Sequence, residues 1–202
     1  SIDEYGPFAV KKRGGLVLAE PGEKPVVPQF QKSKGCLLLI GALELSTNLM
    51  THFYAKRKST DEMIELMHVL LQQYMGKERL FLSWDAASWH GSKKFEAEVH
   101  RVNQIEYRAE NATPEIVLAP LPACAQFLNV IESIFSGMAR AIIHNSDYES
   151  IEECMACIDQ YFAERNQHFI ENPKRAGYKI WGKERVIPVF NPGNNCKDPL
   201  YR

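Results

Sequence analysis

Residues 80–92, Leu-Phe-Leu-Ser-Trp-Asp-Ala-Ala-Ser-Trp-His-Gly-Ser, constrain the fold of this chain more than any other stretch. Residues 80–84 are apolar apart from Ser83 and few in number, the pattern of a buried strand. The strand ends on one carboxylate, Asp85, with small residues after it. An α/β fold presents functional groups this way, because ligands sit in the crevice at the carboxyl ends of its strands. An Asp in that position also caps a following turn, and this stretch alone leaves both readings open.

The flanking segments supply a sheet for that strand. Residues 1–5 read as the end of another strand, with Asp3 and Glu4 near its C-terminal end, and Gly6-Pro7 and Gly14-Gly15 punctuate a loop or hairpin after it. Residues 20–28 hold three prolines and a glycine and read as loop. Residues 34–45 form an almost continuous apolar run, a buried strand, and residues 48–54 its antiparallel partner across a turn at 46–48. Ser59-Thr60-Asp61-Glu62 opens a helix in which Ile64, Met67, His68, Leu71 and Tyr74 recur at helical spacing, and Gly76 stops it. A helix is expected over residues 92–102 and a short strand over 115–119, closed by Pro120 and Pro122. Asn129 is placed to cap a helix striped by Ile131, Ile134, Phe135, Met138 and Ile142, and another helix follows over 150–166. Antiparallel strands, then helix, strand, helix, strand and helices, make an α/β sheet covered on both faces.

Length and charge narrow the function. A chain of 202 residues suits one domain. No apolar run approaches the ~20 residues that span a bilayer, so no membrane is expected. The start carries no signal peptide, which points to the cytoplasm. It also lacks an initiator Met, so the expectation is a processed piece with an N-terminal domain missing. Five scattered cysteines fit a reducing compartment. Cys154 and Cys157 form a C-x-x-C inside a helical pattern, which favours core filling over a metal site. The net charge of −1 does not suggest a nucleic-acid binder. Its distribution is more telling: Lys11, Lys12 and Arg13 cluster near one end, and Arg165, Lys174, Arg175, Lys179, Lys183 and Arg185 near the other. Such runs are solvated surface by default, and they also fit a footprint for a phosphate backbone.

Glu132 falls in the first turn of the helix after Asn129, at the margin of its apolar stripe. A carboxylate there complements the helix dipole, or leans toward the strand ends. In the second case Asp3, Asp85 and Glu132 converge, and three carboxylates in one place persist only with cations between them. Ligands that are all oxygen suit Mg²⁺ or Mn²⁺ rather than Zn²⁺.

The pattern Asp-x-Ala-x-Trp-His over residues 85–90, followed by Leu-Ala-Pro-Leu-Pro-Ala-Cys-Ala-Gln-Phe-Leu-Asn-Val-Ile-Glu over 118–132, resembles the DDE transposases of the mariner-like superfamily, in particular their bacterial insertion-sequence branch. The opening Asp3-Glu4 resembles that family's first acid, and residues 165–183 its C-terminal ending. The sequence departs from the family pattern at Ala86, where Asn is usual, in the altered segment before Glu132, and in the spacing of Asp85 and Glu132 by 46 residues, longer than usual. An insertion near residues 103–113 would account for the spacing.

The resemblance implies a ribonuclease H-like fold with a mixed five-stranded sheet and helices on both faces. It implies a catalytic domain over residues 1–170 and a basic tail over 171–202. Asp3, Asp85 and Glu132 would hold two Mg²⁺ ions, with Mn²⁺ as the alternative, for phosphodiester hydrolysis and strand transfer. The partners would be transposon-end and target DNA and a second copy of the chain, in a cytoplasmic, nucleoid-associated and bacterial setting. Lys11, Lys12, Arg13, His90, Asn129, Lys174, Arg175 and Lys179 are the candidate DNA contacts. His90 reads first as a structural or positioning residue, Trp84 and Trp89 as core, and Asn129 as a helix cap. The competing expectations are an inactive or repurposed domain that binds DNA or protein through the same fold, and a cellular nuclease acting on RNA or branched DNA.

Overall fold

A computed structural model of the chain describes residues 1–16, 20–24, 26–85, 92–122 and 125–177. Strand β1 (Ile2–Val10) pairs antiparallel with β2 (Gly35–Leu43), and β2 with β3 (Met50–Ala55). Seven of the nine residues of β2 are buried, as expected of a strand flanked on both edges and covered on both faces. After helix α1 (Thr60–Gln73), strand β4 (Arg79–Leu82) lies parallel to β5 (Glu115–Leu118), with α2 (Lys93–Val102) and α3 (Ile105–Asn111) between them in sequence. Helices α4 (Ile131–Met138) and α5 (Ile151–Glu171) complete the described chain, and the turn Ala139–Ile143 after α4 widens to i→i+5 bonding.

The strands form one three-stranded and one two-stranded ladder. Among the described residues one backbone bond bridges the two, from Ile2 N–H to the Ser83 carbonyl at 2.8 Å. The expectation of one five-stranded sheet is not borne out: the described strands fall into a three-stranded and a two-stranded ladder. Each face carries its own core. Leu37, Leu39 and Leu43 of β2 meet Phe135 and Met138 of α4 and Ile158 and Phe162 of α5. Ile40 and Ala42, pointing the other way as strand alternation requires, meet Leu66 and Leu70 of α1 and Phe95 of α2. The expectation of helices on both faces is met.

Local chemistry explains most boundaries. Ser59 caps α1 through the Asp61 N–H, Ser92 caps α2 through the Phe95 N–H, and Ser150 caps α5 through the Glu153 N–H. α5 is pinned to β3 by Asn166, whose side chain bonds both the N–H and C=O of Met50 at 2.8 Å, and by Asp159, which accepts from Tyr54 Oη at 2.7 Å and meets His52 Nε2 at 2.8 Å. Trp84 is buried edge-to-face against Phe95, and Cys154 is buried among the α4 and α5 side chains, so both fill the core as expected. The segment read as an insertion is occupied by α3, which buries none of its residues.

Two boundaries correct the sequence reading. β1 does not stop at Tyr5. It runs through Gly6-Pro7 to Val10, with the register shifting between Tyr5 and Phe8 as in a β-bulge. Asp3 and Glu4 accordingly lie near the start of β1, not its end. α5 also continues five residues beyond Asn166, to Glu171. Among the described residues no helix is long and apolar enough to cross a membrane.

Candidate active site

The bond from Ile2 to Ser83 ties the start of β1 to the chain just past β4. The next acid along β1 is Asp3, and the next along the other chain is Asp85, so a strand start and a strand end bring the two together. Asp3 points to the α4 side of the sheet. Its cross-strand neighbour is Gly41, where any side chain would collide with Met50 and Phe135. Glu132 is the second residue of α4, and the helix brings it to the same place.

Asp3 is held on both oxygens. Oδ1 accepts the Glu4 N–H at 2.8 Å, and Oδ2 accepts from Asn129 Nδ2 at 3.1 Å. Burial pushes its carboxyl up to about 7; the Glu4 N–H opposes this, and the charges of Asp85, Glu4 and Glu132 add to it. Glu132 is exposed, yet its carboxyl is also raised, by partial desolvation at the helix start and then by Asp85. Three carboxyls therefore lie within electrostatic reach of one another, an arrangement that favours a proton or a cation in their midst. Among the described residues no three His, Cys, Asp or Glu side chains are gathered into a ready metal cage. The donor set is all oxygen and repels itself, which fits a hard divalent ion.

Asn129 corrects an expectation. The cap position of α4 belongs to Val130, with no side-chain cap bond, and Asn129 turns away from the helix. It is 2 % exposed, donates to the Ile2 carbonyl as well as to Asp3, and accepts from the Ser1 hydroxyl. The Asn129 side chain is thus engaged with Ser1, Ile2 and Asp3.

The other candidate contacts divide. Lys12 pairs with Asp147 at 3.5 Å, and Arg13 donates to the Ala9 carbonyl at 3.1 Å and lies over the Phe8 ring. Arg165 donates to the backbone and side chain of Asn48, which removes it from the basic cluster. Lys11 is half-buried, and Lys174 and Arg175 are exposed. Ala86, Trp89, His90 and Lys179 lie outside the described residues. Among the charged pairs that escaped the sequence reading, one lies beside the site: Glu4, its side chain 3 % exposed on the opposite face from Asp3, meets Lys58 at 3.7 Å. Its only signal was the acid doublet Asp3-Glu4, since strand alternation sends consecutive acids to opposite faces.

A family model described as DDE superfamily endonuclease matches residues 1–155. Among solved structures, the Mos1 transposase paired-end complex with the left transposon end is 17 % identical with a TM-score of 0.55, covering 85 % of this chain and 50 % of that one. The Mos1 mariner paired-end complex with Mn gives 17 % identity and a TM-score of 0.54, over 85 % and 51 %. A pre-cleavage Mos1 transpososome gives 16 % and 0.53 over the same shares. The chain thus spans about half the length of the solved structures it matches. At this identity the likeness concerns the fold. No curated protein sequence matches the chain.

Proposed function

The chain belongs to the DDE superfamily endonucleases, and from that premise we propose that it is the catalytic part of a DNA transposase, cutting and joining phosphodiesters at the ends of a mobile element. The observation that carries the reading is the meeting of Asp3, Asp85 and Glu132 from a strand start, a strand end and a helix start, each within reach of the others' charge. The resemblance read from the sequence names the same three residues.

In this reading the two ladders act as one mixed five-stranded sheet of ribonuclease H type, in the order β3-β2-β1-β4-β5, joined at Ile2 and Ser83. Asp3, Asp85 and Glu132 would hold two Mg²⁺ ions, or Mn²⁺. When bound, such a pair activates an attacking oxygen and stabilises the leaving one in an in-line displacement. The chain's own residues do the rest. Asn129 and the Glu4 N–H fix the direction of the Asp3 carboxyl. Residues 1–170 form the catalytic unit, and residues 171–202, with Lys174, Arg175 and Lys179, lie along the phosphate backbone. Transposon-end and target DNA are the substrates, and a pair of copies acts on two ends, in keeping with the paired-end character of the solved Mos1 complexes.

The test is nicking of duplex DNA in Mg²⁺ or Mn²⁺. The expected outcome is cation-dependent cleavage that EDTA stops and that Asp85→Ala reduces to background while the fold is kept. DNA binding without cleavage under all these conditions would instead leave a repurposed domain.

A further inference from the structure

The strands are covered unequally on their α4 side. The core beneath α4 and α5 takes its strand residues from β1, β2 and β3, and among the described residues none of β4 or β5 belongs to it. Leu80, Leu82, Ile116 and Leu118 turn to the other face, where they meet the side chains of α1 and α2. Alternation therefore turns Arg79 and Phe81 of β4, with Glu115 and Val117 of β5, to the α4 side. Phe81 stands opposite Val117, and Arg79 opposite Glu115, where the two side chains pair at 2.8 Å. Phe81 is 63 % exposed and Val117 half-buried. An apolar sheet face is ordinarily buried against a second layer. Among the described residues this part of the face lacks one.

The chain comes close to this face as it leaves α5. Ala176 is buried in the core beneath α4 and α5, and its N–H bonds to the Leu45 carbonyl at 2.8 Å. Leu45 in turn lines one groove together with Arg79 and Phe81. The longest apolar run beyond Gly177 is Val186-Ile-Pro-Val-Phe190, between Lys183-Glu184-Arg185 and Asn191. The chain from Gly177 to Val186 spans up to about 30 Å when extended, against about 10 Å from β2 across β1 to β4. Val and Ile favour an extended backbone, and Pro188 lacks the N–H that a central ladder position needs. Such a run suits packing by its side chains over a sheet face rather than strand addition at an edge.

We propose that the β4–β5 face is the docking site for residues 186–190 of this same chain, laid over Phe81 and Val117. The apolar side chains of the run take these two residues out of water. Docking also holds the segment that carries Lys179 and Lys183 at both ends, at Leu45 and at the sheet. The docking involves no DNA, so its test uses none.

The experiment places p-benzoylphenylalanine at Phe81 in the full chain and maps the photo-crosslinked peptides. The expected product is a crosslink within one molecule to residues 186–190. It should be lost when Val186→Ser, Ile187→Ser, Val189→Ser and Phe190→Ser are combined, a change that touches neither described core. The same probe at Phe30, 88 % exposed between β1 and β2, controls for random encounters and should leave residues 186–190 unlabelled. A crosslink from position 81 to a second copy or to another segment would overturn the proposal. So would the absence of any crosslink, its persistence in the serine variant, or equal labelling from both positions.

Discussion

At the residue scale the account turns on Asp3. Its folded carboxyl sits at about 7 against an ordinary 3.8, so its charged form is the destabilised one. That cost is absent only well below the ordinary 3.8, where the group is protonated in both states; it is small at pH 4 and grows as pH rises to about 7. In EDTA, Asp3→Asn should therefore gain stability over the parent chain across this window, by on the order of 2 kcal/mol at pH 8 once solvent screening is allowed for. The check is denaturant unfolding at pH 4, 6 and 8; a gain that shrinks as pH rises contradicts the assignment. Asn129→Ala removes bonds to Asp3, Ile2 and Ser1 from an enclosed site and should cost about 1 to 3 kcal/mol. Asn129 also shows where sequence reading stops. An Asn three residues before a helical Glu reads as a cap from local rules alone, whereas its partners lie more than 120 positions away in β1.

At the scale of elements, residues whose structure is dictated locally were legible. The starts of α1, α2 and α5, the apolar run of β2 and the short strand before Asp85 follow from patterns within a few residues, although of the four residues of β4 only Leu82 is buried. β1 was not legible beyond Tyr5, because Gly6-Pro7 signals a break and only pairing with β2 carries the strand through it. Gly6 makes that passage possible. Its φ is +107°, and a Cβ there would lie 2.7 Å from the Leu37 carbonyl oxygen. Gly6→Ala should therefore destabilise the fold by roughly 2 kcal/mol or more, read as a lower denaturant midpoint. A neutral result would mean that the bulge is not strained. The spacing of Asp85 and Glu132 was legible as an extra segment, though not as the surface helix α3, because nothing in the flanking residues fixes its conformation.

For the whole molecule, a sheet with a core on each face places one strand start, one strand end and one helix start together, and the three acids read from the sequence stand at those points. The basic residues were less legible, since their count does not tell which are spent internally. Arg165 binds Asn48, Lys12 binds Asp147, and Lys174 and Arg175 remain exposed. Replacing Lys174, Arg175 and Lys179 together by Ala should flatten the log–log salt dependence of duplex DNA binding by up to roughly 3 units without changing sequence preference. An unchanged slope would move the DNA path elsewhere. The central claim, that Asp3, Asp85 and Glu132 form one divalent-cation site, is tested most directly by anomalous diffraction from crystals grown with Mn²⁺. The account predicts two peaks ~3.5–4 Å apart among the three carboxyls, both lost in Asp85→Ala. Peaks lying elsewhere, or retained in that variant, would contradict it.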